Sequence, residues 1–195
     1  MKVGLFFGSF NPVHIGHLVI ANFMAENTDL QKVWFVVSPH NPLKEKKSLL
    51  KDADRLHLVR LATEDNTKFK VSDIEFKLPQ PSYTIHTLTY LKEKFPQHEF
   101  VLIMGSDNLE SLEKWKNYEI ILRDYEIYVY SRAEKLKTPL ANNTHVKIFE
   151  VPVMDISSSE IRKLISEKKS ARYLLPEIVY EEIKTRKFYR KTVTV

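Results

Sequence analysis

Short runs of apolar, β-branched and aromatic residues alternate with helical patterns along the whole chain. Several of these runs are apolar at every position, which is typical of strands that are covered on both faces of a sheet. This alternation predicts a single α/β domain over residues 1–195, with a Rossmann-like, doubly wound parallel sheet of roughly five to six strands. The predicted strands are Val3–Phe7, Val33–Val37, Phe69–Ser72, Phe100–Met104, Ile127–Tyr130 and Lys147–Val151. The predicted helices are Ile15–Glu26, Ala53–Glu64, Thr84–Lys94, Leu109–Trp115, Ser158–Glu167 and Pro176–Arg186.

The composition narrows the class of protein. Of the 195 residues, 43% are hydrophobic and 28% are charged, which are ordinary values for a globular domain. Cysteine is absent, and this excludes disulfides and thiolate metal sites. No apolar run approaches the roughly 18 residues of a membrane span. We therefore expect a cytoplasmic enzyme with no membrane partner.

The formal net charge of +5 fits either nucleic acid or a pocket for polyanionic small molecules. The positive charge is spread along the chain, with local excesses at Lys44–Lys51 and Lys184–Lys191. We expect no nucleic-acid partner, and we interpret the basic C-terminal residues as a solvated tail. Whether the chain forms a homo-oligomer stays open at this point.

Polar clusters follow four of the predicted strands, after Phe7, Val37, Met104 and Val151. Ligands of doubly wound sheets bind beyond the carboxyl ends of the strands, near the point where the strand order reverses. The chemistry of this chain is therefore predicted at these four positions.

The first of these clusters combines a glycine, a turn and two histidines. Gly8 ends the strand and lets a main chain approach a phosphate, and Asn11–Pro12 predicts a turn before a helix. The N–H groups and the dipole of that helix end favour an anion. His14 and His17 are three positions apart, so both project from one side of the first turn and can donate to phosphate oxygens. The alternative is that one histidine caps the turn and the other packs in the core.

A second anion site is predicted at Ile156–Arg162, after the last strand. A serine at the helix start caps it, and the serine hydroxyls and free N–H groups form a nest for an anion. Arg162 lies one turn into the helix and can bind a phosphate with two N–H groups. The alternative is an ordinary capped surface helix.

These two segments carry a family resemblance. Gly8–His17 resembles the HxGH signature of the nucleotidylyltransferase superfamily, and its letters GSFNPVH resemble nicotinate or nicotinamide mononucleotide adenylyltransferases in particular. The letters HIGH also occur in class I aminoacyl-tRNA synthetases. Ile156–Arg162 resembles the ISSTxIR signature of the family, with Ser159 where threonine is commoner.

Four further segments resemble the mononucleotide adenylyltransferases in the same order along the chain. Ser82–Leu88 is similar to the SYTxDTL segment that borders the pyridine nucleotide. Gly105–Leu109 with Trp115 is similar to the GAD…L…W segment, whose glycine and aspartate line the nucleotides and whose tryptophan stacks on the pyridine ring. Tyr173–Val179 is similar to YLxPxxV and is interpreted as structural, and the helix around Arg55 is interpreted as core packing.

Three departures from the family pattern fall near the substrate half. Family members that bind the deamidated substrate often carry PPHK after the second strand, whereas this chain has Asn41–Lys44 without the histidine. His86 stands where aspartate is usual, and Ser106 stands where alanine is common. These departures bear on the choice between nicotinate and nicotinamide mononucleotide and not on ATP.

The resemblance implies transfer of the adenylyl group of ATP to nicotinate mononucleotide, which gives deamido-NAD and pyrophosphate in NAD biosynthesis. Mg²⁺ is expected to arrive with ATP, and no metal ligands are predicted in the protein. The implied catalytic residues are His17, His14, Arg162 and Lys44. The implied ATP-binding residues are Gly8, Ser9, Phe10, His14, His17, Gly105, Asp107, Ile156, Ser158 and Arg162. The implied mononucleotide-binding residues are Asn11, Lys44, Tyr83, Thr84 and Trp115.

The sequence leaves other functions open. Nicotinamide mononucleotide is the nearest alternative substrate, and phosphopantetheine is the substrate of a related class of adenylyltransferases that lacks the SYT and GxD…W segments. A non-catalytic nucleotide sensor or an RNA-binding protein could use the same fold. RNA binding predicts a steep salt dependence and no release of pyrophosphate.

Overall fold

The computed structural model describes residues 1–39, 49–131, 137–152 and 154–190. The strands in this part of the chain are β1 (Lys2–Gly8), β2 (Lys32–Val37), β3 (Phe69–Ser72), β4 (Glu99–Gly105), β5 (Glu126–Ser131) and β6 (Val146–Glu150). The α-helices are α1 (Ile15–Asn27), α2 (Asp52–Thr63), α3 (Thr84–Lys94), α4 (Ser106–Glu110), α5 (Tyr118–Asp124), α6 (Ser158–Ser166) and α7 (Glu177–Thr185). One parallel sheet contains all six strands, in the order β3-β2-β1-β4-β5-β6. The predicted Rossmann-like, doubly wound fold is confirmed.

Two apolar layers cover the two faces of the sheet. The alternation along β1 shows how they arise, because Leu5 is buried in one layer and the next residue, Phe6, is buried in the other. The Phe6 layer contains side chains of α1, α2, α6 and α7, and the Leu5 layer contains side chains of α3, α4 and α5. Continuous apolar runs such as β1 are therefore needed, since a strand in the middle of this sheet has no solvent-facing side.

The strand order reverses between β1 and β4. In the register of the sheet, Leu5 of β1 lies beside Trp34 of β2 on one side and beside Leu102 of β4 on the other. The helix after β1 packs on one face and the helix after β4 packs on the opposite face. A crevice at the carboxyl ends of β1 and β4 follows from this divergence, and doubly wound sheets bind their ligands at such a crevice.

The predicted helix Leu109–Trp115 is wrong. In the structure α4 ends at Glu110, a short 3₁₀ helix covers Leu112–Lys114, and α5, which the sequence did not predict, begins at Tyr118. The break lies at Ser111, whose hydroxyl donates to the main-chain oxygens of Asp107 and Asn108 at 3.0 and 3.2 Å. A serine that bonds to the preceding turn in this way competes with continuation of the helix.

A buried arginine holds the loops at the carboxyl edge of the sheet. The Arg55 side chain on α2 has no exposed surface. Its N–H groups donate to the main-chain oxygens of Ser9, Ser38, Pro39 and Leu50 and to the carboxylate of Asp52. One guanidinium therefore joins the residues that follow β1, the residues that follow β2 and the start of α2. The interpretation of this helix as core packing holds for its apolar residues, whereas Arg55 adds a polar junction.

In the described part of the chain, none of the helices combines the length and the apolar character that crossing a membrane requires.

Replacement of Arg55 by methionine tests this junction. Methionine keeps a long side chain but leaves several buried carbonyl oxygens without a donor, at about 1–3 kcal/mol for each unsatisfied group. We expect the free energy of unfolding, measured in urea, to fall by about 3 kcal/mol or more. Arg60→Met, on the exposed side of the same helix, is the matched control and should change it by less than about 0.5 kcal/mol. Similar small effects in both variants would mean that other contacts hold these loops.

Candidate active site

The turn between β1 and α1 is built around the ring of Phe10. Phe10 has a left-handed main chain with φ 44°, and its side chain is 1% exposed. A Cβ atom on Gly8 would lie 2.8 Å from this ring, so the glycine is required for the packing of Phe10. The side-chain position of Gly8 is thus occupied by an aromatic ring, and the approach of its main chain to a phosphate stays a prediction.

His14 and His17 lie together at the start of α1. His14 is the N-cap residue, and the centroids of the two imidazole rings are 3.7 Å apart. The main-chain N–H of His14 donates to Nδ1 of His17 at 3.3 Å. Because Nδ1 accepts this bond, the neutral ring of His17 carries its proton on Nε2. Phe10 packs edge-on against His17, with centroids 5.0 Å apart, and this contact helps to fix the ring.

His14 is a buried and neutral imidazole. It is 5% exposed, and burial lowers its pKa from 6.5 to about 4. Among the described residues, no hydrogen-bond partner reaches its Nδ1 atom. A buried polar atom without a partner is costly, and a ligand oxygen or a proton donor from a ligand would satisfy it. The sequence left open that one of the two histidines caps the turn, and His14 does occupy the N-cap position. This position does not give its Nδ1 atom a hydrogen-bond partner among the described residues.

The second predicted anion site packs directly on the first turn. Ser158 on α6 donates through its hydroxyl to the main-chain oxygen of Pro12 at 2.9 Å, across 146 positions of sequence. Arg162 donates through Nη1 to the main-chain oxygen of Asn11 at 2.8 Å. Ser157 caps α6 by accepting the N–H of Glu160 at 3.1 Å. The N-termini of α1 and α6 therefore converge at one place.

The start of α4 lines the other side of the crevice. Gly105 is the N-cap residue, and a Cβ atom there would lie 2.5 Å from the Asp107 carboxylate and 3.2 Å from the ring of Tyr130. The glycine is thus needed for Asp107 to fold back over the helix end. Burial, with the nearby charge of Asp107, raises the pKa of Tyr130 to about 12. The ring of Phe6 has its centroid 6.1 Å from that of His17 and 6.0 Å from that of Tyr130, which links the two sides.

The predicted pyridine site lies on the face that carries α3 and α4. Tyr83 is the N-cap residue of α3 and Thr84 is its first residue, as predicted. Lys116 lies over the ring of Tyr83, with Nζ 4.6 Å from the centroid. Since Lys116 directly follows Trp115, this contact brings the tryptophan segment to the start of α3. Tyr83 and Trp115 are both half-buried against the same apolar layer.

The chain is similar to known proteins over nearly its whole length. Residues 5–164 match the model of a family described as cytidylyltransferase-like. A relative from Flavobacterium psychrophilum, described as a probable nicotinate-nucleotide adenylyltransferase, is 57% identical over 98% of this chain and 100% of its own. A relative from Cytophaga hutchinsonii with the same description is 52% identical over 97% of this chain and 98% of its own. The chain belongs to the nicotinate-nucleotide adenylyltransferase family.

Solved structures extend the likeness in fold. The Plasmodium falciparum nicotinic acid mononucleotide adenylyltransferase complexed with NaAD superposes with a TM-score of 0.81 over 96% of this chain and 97% of its own, at 18% identity. A putative nicotinate-nucleotide adenylyltransferase from Vibrio parahaemolyticus gives a TM-score of 0.74 over 98% and 97%, at 20% identity. At these identities the likeness shows the fold alone.

Two of the predicted mononucleotide-binding residues, Asn11 and Lys44, have different outcomes in the structure. Asn11 is 2% exposed, and its Oδ1 accepts the N–H of Leu50 at 3.2 Å and the hydroxyl of Tyr189 at 2.9 Å. Its role in mononucleotide binding stays a prediction, while its role as an anchor of the turn is observed. Lys44, with the whole Asn41–Lys44 departure, lies outside the described residues.

Sequence reasoning missed two buried ionisable residues that lie near the predicted site residues. Glu75 is 3% exposed and accepts the hydroxyl of Thr87 at 2.8 Å, and burial raises its pKa although Ser38 and Ser82 also hydrogen-bond to it. In the sequence, only the apolar neighbours Ile74 and Phe76 indicated that Glu75 could be buried. Tyr130 could have been suspected because it ends a predicted strand at the carboxyl edge.

The lowered pKa of His14 makes stability depend on pH in a testable way. The unfolded chain binds a proton near pH 6.5 and the folded protein only near pH 4, so folding loses stability as the pH falls through this range. Between pH 7 and pH 4.5 we expect this residue to account for a loss of roughly 2–3 kcal/mol. His14→Asn keeps a good N-cap residue and should remove that part of the pH dependence from urea unfolding. An unchanged pH dependence in His14→Asn, matching the exposed control His86→Asn, would contradict the burial argument.

Proposed function

We propose that this protein transfers AMP from ATP to nicotinate mononucleotide, forming deamido-NAD and releasing pyrophosphate. The observation that carries the proposal is the convergence of two histidines and the N-terminus of α6 at the strand-order reversal. The relatives described as nicotinate-nucleotide adenylyltransferases support the choice of substrate. The cytoplasmic location expected from the sequence stays a prediction.

The reaction requires no protein nucleophile. An oxygen of the mononucleotide 5′-phosphate forms a bond to the α-phosphorus of ATP while the bond from that phosphorus to the bridging oxygen of pyrophosphate breaks. The attacking phosphate is ionised at neutral pH, so no general base is needed. The protein therefore has to align the two phosphates and stabilise the charge that develops on them.

His17 is proposed to donate to the α-phosphate. Its Nδ1 accepts the main-chain N–H of His14, so the neutral ring carries its proton on Nε2, which is proposed to donate to an oxygen of ATP. His14 is neutral at pH 7 because burial lowers its pKa to about 4. His14 thus acts as a hydrogen-bond donor or acceptor rather than as a cation.

Positive charge for the leaving pyrophosphate comes from elsewhere in the proposed site. Arg162 donates through Nη1 to the carbonyl of Asn11 and through Nη2 to the hydroxyl of Ser159, and its other N–H groups are proposed to bind the β- and γ-phosphates. The start of α6, next to Ser158 and Ile156, adds main-chain N–H groups and the helix dipole. Lys44 is proposed to approach the phosphates from its own segment.

Mg²⁺ is proposed to enter as part of the MgATP substrate, where it shields the phosphate charge. In the part of the chain that the structure describes, no three histidine or acidic side chains are grouped to hold a metal ion.

Recognition of the pyridine ring is proposed at the start of α3. The N–H of Thr84 lies in the first turn of an 11-residue helix, where the helix dipole favours a carboxylate. Trp115 offers an indole face for the electron-poor ring. On the ATP side, Asp107 and Gly105 are proposed to bind the ribose and the adenylate, with the main chain of Gly8, Ser9 and Phe10 beside them.

Nicotinamide mononucleotide is the second candidate substrate. The observation that favours it is His86, whose ring lies 5.5 Å from that of Tyr83 by centroid distance, where the family usually has aspartate. This exposed imidazole lies next to the proposed pyridine site and can accept a hydrogen bond from an amide.

Release of pyrophosphate from MgATP with each mononucleotide in parallel tests the proposal. We expect faster turnover with nicotinate mononucleotide, because a helix N-terminus stabilises its carboxylate. A preference for nicotinamide mononucleotide would indicate that His86, beside Tyr83, determines which substrate is bound. No release with either substrate would contradict the proposed function, and phosphopantetheine would then be assayed in the same way.

His17→Ala tests the assignment of the transition-state donor. Loss of a donor aimed at developing charge typically costs about 100-fold or more in turnover, and we expect kcat to fall by that amount. His145→Ala, just before β6 at the amino-terminal edge of the sheet, is the control and should keep wild-type kcat. Turnover of His17→Ala close to that of the control would remove His17 from the mechanism.

A further inference from the structure

The C-terminal segment after α7 folds back onto the protein. Phe188 donates its N–H to the main-chain oxygen of Ile183 at 3.0 Å, and Lys187 donates to that of Lys184 at 3.3 Å. Lys187 has φ 56°, so these bonds form a Schellman motif that ends the helix and reverses the chain direction. Tyr189 follows this turn with φ 61°.

The interpretation of Lys184–Lys191 as a solvated tail is therefore wrong up to Tyr189. Phe188 and Tyr189 are half-buried against the apolar layer that contains α1, α2, α6 and α7. The basic side chains around them masked this pattern in the sequence, because they project outward from the same segment. The last described turn of the chain thus belongs to the folded core.

The hydroxyl of Tyr189 reaches the phosphate-binding turn. It donates to Oδ1 of Asn11 at 2.9 Å, 178 positions earlier in the sequence. The same oxygen accepts the N–H of Leu50 at 3.2 Å, so two donors fill the two lone pairs of this carbonyl. The main-chain oxygen of Asn11 accepts Nη1 of Arg162 at 2.8 Å. Tyr189, Leu50 and Arg162 thus fix one residue from three directions.

The surroundings keep Tyr189 a hydrogen-bond donor. Burial raises the pKa of its hydroxyl far above the usual value, while the positive charges of Arg162 and Arg55 lower it and the negative charge of Asp54 raises it. The hydroxyl consequently remains protonated throughout the working pH range of an enzyme. Its proton has the Asn11 oxygen as its acceptor.

We propose that Tyr189 is a positioning residue for ATP: it holds the carboxamide of Asn11 and thereby fixes the carbonyl on which Arg162 is anchored. This inference rests on the proposed function only in naming ATP as the ligand of the turn. Without the hydroxyl, Oδ1 of Asn11 loses the donor that Tyr189 provides, and the turn that leads to His14 and accepts Arg162 loses a constraint. The nucleotide phosphates should then bind less tightly.

Tyr189→Phe removes the hydroxyl and leaves the ring in the core. We expect the Kd for ATP, measured by titration calorimetry with Mg²⁺ and without mononucleotide, to rise about 10-fold, the upper effect of one hydrogen bond. KM for ATP should rise similarly, with KM for the mononucleotide changed less than about twofold. Tyr180→Phe, a half-buried tyrosine on α7, is the matched control and should leave the Kd for ATP unchanged.

A double-mutant cycle shows whether Tyr189 acts through Asn11. In an Asn11→Ala background, Tyr189→Phe should change the Kd for ATP less than about twofold, because the acceptor is already gone. Wild-type ATP affinity in Tyr189→Phe, or an equal effect with and without Asn11, would overturn the inference. A protein that binds ATP, responds to Tyr189→Phe and yet forms no dinucleotide would support the positioning role while contradicting the proposed function.

Discussion

The buried guanidinium of Arg55 is the interaction on which the carboxyl edge of the sheet depends. It joins the main chain after β1, through Ser9, to the main chain after β2, through Ser38, and to the start of α2. A guanidinium can do this because it presents five N–H donors in one plane, whereas an ammonium group would reach fewer oxygens. Arg55 thus binds the β1–α1 turn at Ser9. Ser158 and Arg162 of α6 bind the same turn a few residues later along the chain.

The electrostatic character of the site follows from this construction. The two histidines are the most recognisable residues, yet His14 is neutral at pH 7 because burial lowers its pKa to about 4. Attraction for a polyanion therefore comes from Arg162 and from the N-termini of α1 and α6, which point to one place. A neutral imidazole donates without adding a charge that would have to be desolvated, and this fits a role in aligning phosphate oxygens.

Much of this fold could be predicted from sequence, because continuous apolar runs are distinctive in a sheet covered on both sides. The predicted ends of β1–β6 lie within one residue of those in the structure, and α3 begins at Thr84 as expected. The failures share a cause in contacts between distant residues or in side-chain bonds to the main chain. Periodicity cannot show that Ser111 ends α4, or that Tyr189 reaches back 178 positions to the first turn.

The candidate site was predictable as a set of motifs and not as a set of contacts. The spacing of His14 and His17 predicted neighbouring rings, which lie 3.7 Å apart by centroid distance. The motif did not predict that the missing side chain of Gly8 makes room for the ring of Phe10. Glu75 had no motif, since a single acidic residue in a short segment is usually solvent-exposed.

A crystal structure of this protein with a non-hydrolysable ATP analogue and Mg²⁺ would show whether ATP binds at the β1–α1 turn. We expect an α-phosphate oxygen within hydrogen-bond distance of Nε2 of His17, with the β- and γ-phosphates at the start of α6 beside Arg162. A triphosphate bound away from the β1–α1 turn, with no phosphate near either histidine, would contradict this expectation.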